Sequence, residues 1–159
     1  MTKKVARSGR PALAWLWVAL WTAVVLWAGG ETASAANTSR FIGRFLHWLL
    51  PDASPQTLAH LHLLIRKGAH VGEYGLLALL TLGGLRASFR ASLPRLAAGA
   101  LAWVALVAAC DEARQALVHA RTGTPWDVAL DTAGGLLALA LAIAYTRGMR
   151  AGPSLAAGG

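Results

Sequence analysis

Residues 11–28, PALAWLWVALWTAVVLWA, contain no charged side chain. A hydrocarbon core of about 30 Å needs about 20 helical residues, so this run has the length of a membrane-spanning helix. Trp15, Trp17 and Trp27 stand near its ends, at the depth indole rings favour. Composition agrees. Of 159 residues, 56% are apolar and 14% charged, against roughly 45–50% and about 25% in a soluble domain. The triplet Ala33-Ser34-Ala35 resembles a signal-peptide cleavage site. The apolar run, however, exceeds the usual length of about 7–15 residues for such a segment. The expectation is an uncleaved span.

The remaining apolar runs, 75–85, 96–110 and 132–146, are shorter. At 1.5 Å per residue they cover only about 16–23 Å, so each helix must draw a charged end into one leaflet to cross. The expected second span runs from about residue 55 to 85, with Ser54 as N-cap and Pro55 at the first helical position. A third covers 96–119. The fourth starts at Thr124-Pro125-Trp126-Asp127, which has capping-box form, and runs to about Tyr145. Between the first two spans, FIGRFLHWLL mixes Arg44 and His47 with Phe41, Phe45, Trp48 and Leu49, and reads as a surface-lying amphipathic segment.

The expected fold is therefore all-α: a polytopic membrane helical bundle of four transmembrane helices plus a short interfacial amphipathic helix. Residues 1–36 would form a basic cytoplasmic N-terminus and the first span. Residues 37–147 would form a domain with the other three, and 148–159 a disordered tail. Four spans put both termini and the 86–95 loop on one side, with nine Lys/Arg and no acid; the other side holds six Lys/Arg and all seven acids. The positive-inside rule then places both termini in the cytoplasm of a cell inner-membrane protein. The net charge of +8 is explained by this asymmetry. No nucleic-acid motif or basic face accompanies it, so nucleic acid is not an expected partner. Cys110 is the only cysteine, which excludes an intrachain disulfide and C-x-x-C sites.

The charged end comes first in the second span, last in the third and first in the fourth, so alternation gathers all three on the outer side. At 100° per residue, Arg66, Lys67, His70, Glu73 and Tyr74 share an arc of about 120°. Gly68, Gly72 and Gly75 lie opposite and would let another helix approach. Asp111, Glu112, Gln115 and His119 share an arc of about 100°, with Arg114 just off it. Asp127 and Asp131 are one turn apart, with Gly134 and Gly135 following. Ionisable groups facing lipid at mid-bilayer cost at least about 2.5–3.5 kcal/mol each, so the stripes are expected to face one another around a polar chamber open to the outside.

These residues also carry a resemblance. R-K-x-x-H-x-x-E-Y at 66–74, D-E-x-x-Q at 111–115, Arg121, and D-x-x-x-D-x-x-G at 127–134 resemble the signature of the VanZ-like membrane proteins, over about residues 41–146. That family often carries Asn where this chain has Asp131. The resemblance implies a small multi-span protein whose founding member is associated with reduced susceptibility to teicoplanin. It supplies no molecular activity.

The candidate catalytic residues are His70, Glu73, Asp111 and Glu112; the candidate binding residues are Arg66, Lys67, Tyr74, Gln115, Arg121, Asp127 and Asp131. The bland alternative is a network that locks the helices together, with Arg66 and Lys67 snorkelling to the headgroups, Asp127 capping its helix and Arg121 anchoring at the interface. His47, His60 and His62 read as exposed interfacial histidines. Three roles go further. The chamber would bind a lipid-linked cell-wall precursor, an anionic lipid or a lipoglycopeptide tail. As an enzyme, Glu112 or Asp111 would be the base, His70 the acid, and Arg66, Lys67 and Arg121 the anion holders. A proton-coupled carrier would need polar groups that the uncharged inner halves lack. His70 and Glu73 with Asp111 or Glu112 would be the donors of a divalent metal, although their spacing alone does not identify such a site.

Overall fold

The computed structural model describes residues 10–29, 35–117 and 124–150. Five helices account for nearly all of them: α1 (Arg10–Ala28), α2 (Ala35–Leu49), α3 (Pro55–Ser88), α4 (Leu93–Ala116) and α5 (Pro125–Arg150). The all-α expectation holds. Among the described residues, three helices are long and apolar enough to cross a membrane, over Pro11–Ala28, Leu93–Ala116 and Pro125–Met149. α3 is the longest at 34 residues, about 51 Å at 1.5 Å per residue. Arg66, Lys67, His70, Glu73 and Arg86 interrupt its apolar stretch, and it is not in that set. Arg121 and His119, the Ala33-Ser34 pair and the tail beyond residue 150 lie outside the described residues.

Helix starts follow local chemistry. Ser54 Oγ accepts the Thr57 N–H at 3.2 Å, and Pro55 opens α3. Thr124 Oγ1 accepts the Asp127 N–H at 3.2 Å to start α5.

α3 is the hub, packing against α1, α2, α4 and α5, while α4 also packs against α5. Trp15 Nε1 donates to Ser88 Oγ at 2.9 Å, and Trp21 Nε1 to the Glu73 carbonyl at 2.9 Å, so α1 runs antiparallel to α3. α5 runs parallel to α3: Gly134 meets Val71, and Gly75 meets Ala138. Gly99 beside Leu85 and Gly135 beside Val104 set α4 antiparallel to both. Tyr74, Leu77, Ala78, Ala100, Val104 and Leu139 form the centre of the core. Leu13, Leu16 and Leu20 of α1, Leu106 of α4, and Leu136, Leu137 and Leu141 of α5 point outward and are exposed. An apolar exterior on this scale suits a lipid solvent.

The glycine reading needs correction. Gly68 and Gly72 have no atom within 4 Å of an added Cβ; only Gly75, at the edge of that stripe, meets a neighbour. α5 approaches over Val71 and Gly75 instead. The close approach is set by Gly134, where a Cβ would lie 2.7 Å from the Val71 carbonyl oxygen.

Candidate functional site

The alternating directions bring the first half of α3, the end of α4, the start of α5 and the end of α1 to one end of the bundle. There the ionisable side chains sort into three groups.

Between α3 and α5, Lys67 Nζ lies 3.5 Å from Asp127 Oδ1, and one turn deeper His70 Nδ1 lies 3.5 Å from Asp131 Oδ1. A proton on Nδ1 serves that pair and leaves Nε2 of a neutral ring as an acceptor. Tyr74 stacks beside His70, ring centroids 6.4 Å apart, and is 0% exposed. Its hydroxyl and the Asp131 Oδ2 are both buried without a hydrogen-bond partner among the described residues. Glu73 and Arg66 are half-buried and have no ion-pair partner among the described residues.

Between α4 and α1, Asp111 is 1% exposed and fully engaged. Its Oδ1 accepts from Arg114 at 2.7 Å and its Oδ2 from Gln115 at 2.8 Å. Arg114 also donates to the Leu26 carbonyl at 2.5 Å. That carbonyl is one of the last four of α1, which lack intrahelical partners. Gly29 completes the joint, because a Cβ there would fall on the Asp111 carboxylate. Sequence reasoning left Arg114 off the site. The available signal was its i, i+3 spacing from Asp111, but its partner on α1 is visible only in three dimensions.

Between α4 and α5, Glu112 Oε2 accepts the Thr124 N–H at 3.0 Å. In an ordinary capping box the residue at Asp127's position would take that N–H. Here Asp127 Oδ2 accepts the Thr124 hydroxyl at 2.8 Å, and its Oδ1 is left to face Lys67. The cap and the interhelix pair are therefore one structure. A groove of about 350 Å³ lies beside Glu112.

No group of three His, Cys, Asp or Glu side chains among the described residues is placed to hold a metal ion. His70 turns to α5, whereas Asp111 turns to Arg114 and Gln115, so the donors considered from the sequence do not converge. His60 is exposed, but His62 is half-buried with Nε2 unpartnered, which corrects its reading as an exposed histidine.

Helices with an apolar exterior, joined at one end by a cluster of paired acids and bases, define a multi-pass membrane protein. Residues 12–146 match the VanZ/LLP1 family, and the chain belongs to it. The match begins in α1, well before the first sequence motif at residue 66. No curated protein and no solved structure matches the chain.

Proposed function

We propose that this protein binds a lipid-linked envelope component, a cell-wall precursor or the lipid-bearing end of a glycopeptide such as teicoplanin, at the outer face of the cytoplasmic membrane. In this reading α3 is a fourth span and both termini are cytoplasmic. α2 lies in the outer interface, its exposed Phe41, Phe45, Trp48 and Leu49 turned to lipid. The charged ends form a site reached from the outer leaflet, with Arg66 and Lys67 at the rim.

One observation carries the proposal: the Tyr74 hydroxyl and Asp131 Oδ2, on facing helices, are buried and unpartnered. A polar group left so costs about 1–3 kcal/mol. A network that served only to lock helices together would have no reason to retain two of them. In this reading α3 and α5 part locally when a guest enters, and its hydroxyl or amide groups then satisfy both.

The test is Tyr74→Phe. Without a guest, removing an unsatisfied hydroxyl raises stability by about 1–3 kcal/mol. With a guest, the variant loses co-purified lipid-linked material, measured by mass spectrometry of the extracted lipids, and gains no stability. A stabilised variant with unchanged lipid content refutes the proposal. The family's teicoplanin association adds a cellular readout: Asp131→Ala should reduce teicoplanin tolerance while vancomycin susceptibility hardly moves.

The His70–Asp131 pair favours one second reading, a hydrolase or transferase on the same substrate class. Asp131 would orient the imidazole and Nε2 would act as base. Asp111 and Glu112 suit that role less, since Arg114, Gln115 and the Thr124 amide already hold them. Loss of turnover of a polyprenyl-linked substrate in His70→Gln, with binding retained, distinguishes this reading from binding alone.

A further inference from the structure

The groove beside Glu112 lies between the second half of α4 and the first turn of α5. Its walls are Ala109, Ala113 and Ala116 on one side and Pro125 and Val128 on the other. Glu112 and Thr124 are its polar members. Leu117 and Trp126, each next in sequence to a lining residue, are apolar and 83% and 82% exposed. Glu112 is only 6% exposed. Its Oε2 is taken by the Thr124 amide, and its Oε1 has no partner among the described residues.

Charge narrows the occupant. Asp111 has Arg114, Asp127 has Lys67 and Asp131 has His70. Among the described residues Glu112 has only a neutral amide, so a carboxylate stands at the polar end of an apolar groove with no described cation beside it. An anionic headgroup would be repelled there. A neutral hydroxyl would supply a hydrogen bond but no charge. A primary ammonium supplies both, and the charge-assisted bond is the stronger one.

We propose that this groove binds a chain of a bilayer lipid whose headgroup carries a primary ammonium, with Glu112 Oε1 accepting from that ammonium. The inference rests on the amphiphile-binding reading of the charged helix ends and names the headgroup chemistry. The Thr124 hydroxyl, Asp127 and Lys67 form a continuous polar path from Glu112 to the rim. The phosphate of such a lipid would therefore stand on the cationic side of the ammonium.

The experiment uses full-length protein in nanodiscs of phosphatidylcholine, doped with phosphatidylethanolamine or phosphatidylglycerol of the same chains. Retained lipid is counted by native mass spectrometry. Phosphatidylethanolamine should be retained over phosphatidylglycerol by about tenfold or more, the step one charge-assisted hydrogen bond supplies. Glu112→Gln should bring the ratio near one. Ala113→Leu, which fills the groove from an exposed position without touching charge, should lower retention of phosphatidylethanolamine. Equal retention of the two lipids by the wild type overturns the proposal. So does unchanged selectivity in Glu112→Gln, or unchanged retention in Ala113→Leu if the first variant does not fold. If Tyr74→Phe loses lipid-linked material while Glu112→Gln keeps its selectivity, the groove assignment falls and the α3–α5 site stands.

Discussion

Replacing Gly134 with alanine probes the contact on which the α3–α5 site is built. An added Cβ would lie 2.7 Å from the Val71 carbonyl oxygen, 2.9 Å from its Cα and 3.2 Å from its carbonyl carbon. All three are backbone atoms and cannot rotate away, so the helices must separate. Overpacking a close contact costs about 1–3 kcal/mol, and two backbone clashes with a third tight contact place this one at the upper end. Alanine returns about 1 kcal/mol of helix propensity, leaving a net loss of about 2 kcal/mol. Gly72→Ala is the matched control. It lies on α3, the helix that Gly134 of α5 meets, with nothing within 4 Å, so it collects the same propensity gain of about 1 kcal/mol without a clash. The two variants should differ by about 3 kcal/mol, roughly a hundredfold in the unfolding equilibrium. Unfolding in mixed micelles titrated with SDS, followed by tryptophan fluorescence, measures this directly. Gly134→Ala should also weaken ligand retention, because His70 and Asp131 sit at this contact at 3.5 Å and must part with the helices. If the two alanine variants are equally stable, the α3–α5 approach described here is wrong.

Other outcomes follow from the same contacts. Arg114→Ala leaves Asp111 buried and without its cation, which should cost about 3–5 kcal/mol in SDS titration. Asp111→Asn in the same chain should recover part of that loss, and simple additivity of the two would show that they are not coupled. Trp21→Phe removes the bond to the Glu73 carbonyl and should cost about 1 kcal/mol, loosening α1 from α3. For orientation, a Cys110→Ala background carrying Asp52→Cys should react with an impermeant maleimide in intact cells, whereas Ala91→Cys should not. Labelling at residue 91 alone would invert the topology.

The sequence by itself determined the all-helical, lipid-facing class, because an 18-residue uncharged run such as 11–28 has few other fates. It also determined that the charged ends of α3, α4 and α5 share one end of the bundle. That follows from chain direction, since long helices joined by short connections run back and forth. The caps at Ser54 and Thr124 were legible for a similar reason: they are set within four residues.

Which charged groups pair was not legible. Periodicity places side chains on an arc but says nothing of the neighbouring helix's rotation. That rotation turns His70 to Asp131 rather than to α4, and Asp111 to Arg114 and Gln115. It also leaves Gly68 and Gly72 open while Gly134 takes the close contact. α1 shows the limit most clearly. Its sequence reads as an uncharged span with no stated partner in the charged cluster, yet the Leu26 carbonyl accepts from Arg114 and Trp21 donates to the Glu73 carbonyl. Burial in lipid is a property of a segment and can be read from composition. Pairing inside the bundle depends on which faces meet, and only the packed helices fix that.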